Sequence, residues 1–218
     1  FAGIAKIPPA VLTRYPNMSV VYLPTAYLAP IQYYSKLAHT GESCIEIWEN
    51  YPKQTYRNMC LIATANGTQA LTVPVEKPET PKYPTRDIRI SNHGNWRHLH
   101  WNALVSAYNM SPFFEYYADD FRPFYENRYQ YLLEYNEALQ TMICGLLEIH
   151  PVITHTEKYE PEPENDFRNV IIPRHPQPDP TFFSRPYYQV FRDKHGFIPN
   201  LSIADLLFNM GPESILYL

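Results

Sequence analysis

The chain reads as an α/β protein, a mixed β-sheet flanked by helices, folded as one domain over residues 1–218 with a proline-rich lid loop at 157–186. Three observations predict this. A short apolar run at 19–23 (SVVYL) passes through a proline-bounded loop into helical spacing and then a second strand, the strand–helix–strand order of parallel pairing. Two β-rich runs are joined by Asn66-Gly67, a hairpin signal that adds antiparallel pairing. Beyond Asn95 the apolar period lengthens to that of helices.

Taken in order, residues 1–17 carry three prolines and no regular period, so they read as an N-terminal extension, with Met18 as an alternative start and no secretory pattern. The first strand breaks at Pro24. Pro30 then opens a helix over 30–38 through Ile31, Tyr34 and Leu37. Residues 44–48 (CIEIW) alternate as a strand, 57–64 and 69–75 form the hairpin arms, and 87–90 (DIRI) make a further strand. Helices follow at 95–108, 113–124 and 129–149; Asn136 lies beside the apolar face of the last and needs an internal partner. A strand is expected at 152–156. Residues 157–186 then hold seven prolines and, near the start, Glu157, Glu160, Glu162, Glu164 and Asp166, a lid or mobile segment. Pro186 starts a helix over 187–195 that Gly196 ends. Ser202 and Asp205 resemble a capping box before a last short helix closed by Gly211 and Pro212.

Composition narrows the function. A net charge of −4 argues against nucleic acid as a partner, since its binders normally show a basic face. No apolar run approaches the ~20 residues that span a bilayer. Cys44, Cys60 and Cys144 are odd in number and lie in apolar segments, which reads as buried reduced thiols and a cytoplasmic location. The 22 prolines come with 19 tyrosines, so the chain folds and its tyrosines suit an amphipathic ligand such as a sugar, although most of them fit the rim of a core.

The crossover loop at 22–37 is where open α/β proteins place ligands, and it holds Pro24 and Tyr27 but no glycine-rich phosphate cradle. Lys53, Arg57 and Asn58 in YPKQTYRN could grip a phosphate, a carboxylate or a sugar hydroxyl, or simply form a solvated turn. His98 and His100 diverge on a helix and cannot share a metal, so no metal and no cofactor are expected. His100 alone suits a general base, against the simpler role of a packing histidine. Asp119-Asp120 face different ways and read as a solvated face.

Four motifs, YLPTAYLAP (22–30), KQTYRN (53–58), LTVPV (71–75) and WRHLHW (96–101), with Tyr108, Ser111-Pro112 and Phe114 after them, resemble the WbqC-like family of bacterial proteins in its Bacteroidetes-type subgroup. That family is found with surface-polysaccharide (O-antigen) clusters. The resemblance implies an acyl or aminoacyl (glycine-type) transferase acting on a sugar or nucleotide-linked sugar. Lys53, Arg57 and Asn58 would hold the anionic part of the donor, Trp96 and Pro24 would line the site, His100 would be the base, and Tyr27 would position the sugar. Two positions depart from the pattern. The family's His-Gln-Pro opening is Tyr22-Leu23-Pro24 here, and its Asn-Arg is Asn58-Met59. Those losses favour the alternative, a non-catalytic binding or scaffold protein using the same aromatic cleft. Neither the residues nor the resemblance sets an oligomeric state.

Overall fold

A computed structural model of the chain describes residues 20–77, 80 and 82–218. The expected extension at 1–17 and the alternative start at Met18 lie outside the described residues. The fold is α/β, with parallel and antiparallel pairing both present but divided between two small sheets.

Strand β1 (Val20–Pro24), helix α1 (Ile31–His39) and strand β2 (Glu42–Glu46) form the expected crossover. The two strands pair in parallel, from Val20 opposite Glu42 to Pro24 opposite Glu46. β5 (Ile153–His155) adds to the far side of β2, giving the order β1-β2-β5. β2 was expected at 44–48, and it stops short because of Glu46. This carboxylate is buried and accepts from the backbone N–H groups of Trp48 at 2.7 Å and Glu49 at 3.1 Å, which turns the chain away from the sheet.

β3 (Met59–Thr64) and β4 (Gly67–Thr72) form the antiparallel hairpin, with Thr64 opposite Gly67. Ala65 and Asn66 make the turn, and Gly67 takes φ 103°, a left-handed value that costs glycine nothing. The strand expected at 87–90 is a correction: residues Thr85–Asp87 form a 3₁₀ turn, and Arg89 and Ile90 make only isolated bridges, to Tyr131 and Val75. Thr85 donates its N–H and its hydroxyl to the Glu49 carbonyl, and this bends the segment before a ladder can form.

Helices α2 (Trp96–Tyr108), α3 (Phe114–Phe121), α4 (Pro123–Glu126) and α5 (Leu132–Leu146) follow; the helix expected over 113–124 is split between Phe121 and Pro123, and the one expected over 129–149 is shorter at both ends. α5 buries Leu132, Tyr135, Leu139 and Ile143 on one stripe. The helix expected over 187–195 is reduced to one turn, α6 (Arg192–His195), which Gly196 does end at φ 73°. Its first half stays extended because the Gln189 side chain pairs with the backbone N–H and carbonyl of Ile198. α7 (Ile203–Met210) is capped by Ser202, whose hydroxyl accepts from the Ala204 N–H. Asp205 does not complete a box. It lies buried and accepts from the hydroxyls of Tyr108 at 2.8 Å and Tyr187 at 2.6 Å.

Between residues 157 and 186 there is no helix, and the one bridge joins Asp166 to Tyr22 along the outer edge of β1. Two ion pairs fasten this strap to the sheet and to α1. Arg168 bonds Asp166 at 2.6 Å and reaches Glu46 at 3.4 Å. Lys36 of α1 meets Asp179 at 2.6 Å, with both side chains almost wholly buried. Edge coverage of this kind removes a free strand edge. Cys44, Cys60 and Cys144 are buried and unpaired. No described helix is long and apolar enough to cross a membrane.

Because removing one partner leaves the other charge buried, Asp179→Ala should cost about 3–5 kcal/mol in chemical denaturation. It should also speed protease cleavage within 157–186. Unchanged stability and cleavage would show that the strap is held by something else.

Candidate functional site

The crossover loop turns sharply after Pro24. Leu28 takes φ 40°, a left-handed value that is strained for a leucine, and its carbonyl accepts the Ser202 hydroxyl at 2.8 Å. This turn drives Tyr27 inward, where it has no solvent exposure. Its hydroxyl lies 2.9 Å from His100 Nδ1 and 2.9 Å from the Tyr125 hydroxyl, so the loop, α2 and α4 meet at one oxygen. Trp96 packs edge-on against His100 at 5.1 Å between ring centroids, and Tyr135 of α5 stacks on Tyr27 at 5.8 Å.

Burial pushes the His100 imidazole down to about 4, although a hydrogen bond to the Thr72 backbone opposes the shift, so the ring is neutral at pH 7. His100 Nδ1 shares one hydrogen bond with the Tyr27 hydroxyl, and that hydroxyl shares a second with Tyr125. Burial also raises both phenols well above their usual range. The chain Tyr125–Tyr27–His100 therefore carries no charge at rest.

Tyr125 also lines a cleft of about 320 Å³ at the start of α2, together with Asn92, Arg97, Trp101, Arg122 and Arg128. The cleft and the hydroxyl chain thus share one residue, Tyr125. A second hollow of about 460 Å³, beside Tyr131 and His155, contains none of the sequence-predicted site residues. Among the described residues no group of three or more His, Cys, Asp and Glu could hold a metal ion.

Tyr27, His100 and Trp96 come together in the buried cluster, and His100 reaches the cleft only through two tyrosine hydroxyls. Pro24 borders the cluster and accepts the Tyr33 hydroxyl at 2.9 Å. Asn136 ties this loop to the lysine–asparagine turn, donating to Thr25 at 3.1 Å and to the Arg57 carbonyl at 2.8 Å, which is the internal partner its position called for. The Arg57 side chain points elsewhere, in a two-point bond with Glu49 at 2.6 and 2.8 Å. Asn58 donates to the Val73 carbonyl at 2.9 Å. Lys53 is exposed on the turn and does not line the cleft.

Sequence reasoning missed Tyr125, Arg97, Arg122 and Arg128. A signal existed: Arg97 and Trp101 are four apart on α2, and Arg122 and Tyr125 three apart across the α3–α4 junction, which puts each pair on one helix face.

Comparison with known proteins adds the following. A family model described as the WbqC-like protein family matches residues 25–176. Among curated proteins, the uncharacterized protein Rv1507c of Mycobacterium tuberculosis (strain ATCC 25618 / H37Rv) is 29% identical, over 85% of this chain and 91% of its own length. No solved structure matches.

A histidine buried in its neutral form makes stability depend on acidity. The unfolded ring binds a proton near pH 6.5, whereas the folded one does so only at about 4. His100 stability is thus fully present above about pH 6.5 and is lost as pH falls through that window, by about 3 kcal/mol in all. Urea unfolding from pH 7 to 4 should show that loss in the wild type and not in His100→Gln. An imidazole that titrates by NMR near 6.5 would contradict the assignment.

Proposed function

The chain belongs to the WbqC-like protein family, and from that premise we propose that it is a transferase of surface-polysaccharide biosynthesis, moving an acyl or aminoacyl group onto a nucleotide-linked sugar. One observation carries the reading: Tyr125 lines the cleft, and its hydroxyl heads a hydrogen-bonded chain to a neutral imidazole.

In this reading the acceptor amine or hydroxyl of the sugar faces Tyr125. Its lone pair attacks the carbonyl carbon of an activated acyl donor, and the donor's leaving group departs with the bonding electrons. The acceptor proton passes to Tyr125 as Tyr125 hands its own to Tyr27 and Tyr27 hands its own to His100 Nδ1. An imidazolium disfavoured by burial holds that proton only briefly, and it returns along the same chain to the leaving group. Tyr125 is the catalytic residue; Tyr27 and His100 act through it. Trp96 keeps the imidazole in place by edge-on packing. Three unpaired buried thiols support a cytoplasmic location.

A second reading, a binding protein without turnover, is favoured by the same burial, which holds every member of the chain neutral and resists charge separation. The two readings separate by mass spectrometry on purified protein incubated with amino-sugar nucleotides and acyl or aminoacyl thioesters. The transferase reading expects a mass increase on the sugar, lowered about 10²-fold in kcat by Tyr125→Phe with little change in KM. Sugars that bind but return unmodified across the panel would leave the binding protein.

A further inference from the structure

The cleft beside Tyr125 concentrates positive charge on a chain of net charge −4. Arg97, Arg122 and Arg128 line it against a single carboxylate, Glu126. None of the three arginines joins an ion pair among the described residues. Two of them are held by indoles. The Arg97 guanidinium lies 4.6 Å from the Trp96 ring centroid and that of Arg122 lies 5.6 Å from the Trp101 ring. Stacking of this kind fixes a guanidinium by its faces and leaves its in-plane N–H donors to other partners.

Those donors are short of partners. Arg97 Nη1 reaches Asn92 at 3.1 Å, but its Nε and Nη2 are buried without any acceptor, and so is the hydroxyl of Tyr135. An unsatisfied buried donor costs about 1–3 kcal/mol, and more when it is charged. Burial and the nearby Arg128 both weaken the hold of Arg97 on its charge, a repulsion that an anion between them would relieve. The first turn of α2 adds donors of its own: Asn95 stands at its N-cap position without a side-chain capping bond, and Gly94 and Asn95 both border the cleft.

We infer that this cleft is a phosphate site, holding the phosphate or diphosphate of its ligand between Arg97 on α2 and Arg122 and Arg128 on the α3–α4 side. The inference rests on reading the cleft as the ligand site of the proposed function and moves anion recognition away from Lys53, Arg57 and Asn58. Three guanidiniums exceed what a single carboxylate neutralises and suit a group that carries two or more charges. A volume of about 320 Å³ is at the small end of ligand sites and takes a diphosphate head, with the rest of the molecule extending outward. In that position the head would leave the attached sugar beside the Tyr125 hydroxyl.

Isothermal titration of the full chain with inorganic phosphate, inorganic pyrophosphate and uridine diphosphate tests this. Saturable binding of pyrophosphate that weakens with added salt is expected, with uridine diphosphate tighter still if the ligand is a nucleotide and equal to pyrophosphate if the site takes free anions. Arg122→Gln and Arg128→Gln, both at exposed positions, should each weaken pyrophosphate on the order of tenfold. Glu126→Gln should tighten it, and Arg192→Gln, outside the cleft, should leave it unchanged. Absence of binding, or binding indifferent to Arg122→Gln and Arg128→Gln, overturns the phosphate site. Intact anion binding without acyl transfer keeps the phosphate site and removes only the transferase.

Discussion

Tyr27 carries a hydroxyl into the solvent-inaccessible interior, and a buried hydroxyl must find its partners there. That requirement fixes three elements at once. The crossover loop supplies the tyrosine, α2 supplies His100 and α4 supplies Tyr125. A shift of any one by more than a few tenths of an ångström would break a bond that solvent cannot replace. Trp96 donates its indole N–H to the Ser91 carbonyl at 3.2 Å, and its ring and that of Tyr135 fill the space the hydrogen bonds define. The cleft inherits its geometry from this arrangement, because Tyr125 belongs to both.

The same logic of buried polar groups recurs at other joints. Glu46 ends β2 by accepting local N–H groups, and it also accepts from Thr156 and Glu160 and faces Arg168, so one carboxylate joins β2 to β5 and to the strap. Asp205 does the corresponding work in the C-terminal region, joining α7 to Tyr108 of α2 and Tyr187. Burial pushes the Asp205 carboxyl up, and the hydrogen bonds from Tyr187, Tyr108, Gln189 and Asn209 oppose that push. Each of these acids costs free energy to bury and offsets it by satisfying several donors.

Local signals in the sequence were read well where they are local in cause. The apolar stripe of α5, the Asn66-Gly67 turn and the Ser202 cap depend on neighbours within a few residues, and each appears where the pattern places it. The errors arise where a distant partner decides. Residues 187–191 have a helix's opening proline but stay extended because Gln189 pairs with Ile198. The DIRI segment alternates like a strand but has only single-residue partners on either side. At the site, motif positions point to Tyr27, Lys53 and His100 around one hollow; Tyr27 and His100 meet, whereas Lys53 is exposed on its turn. Arg57 was expected at a ligand, but Glu49 lies eight residues earlier in an unremarkable stretch and nothing local marks it as the partner. The three arginines of the cleft come from α2, the α3–α4 junction and the loop after α4, whose approach only the packed chain reveals.

The recognised family pattern ends at residue 176, but the folded unit does not. Phe208 rests against Tyr108, Phe114 and Phe121 at centroid distances of 5.1, 5.0 and 4.9 Å, and α7 has almost no solvent contact. A fragment trimmed to the recognised stretch would expose these ring faces and leave the Tyr108 hydroxyl without its acceptor. Expression boundaries for relatives of this protein are therefore better drawn to retain the last forty or so residues, whose sequence is the least diagnostic and whose aromatic wall supports the helix carrying His100.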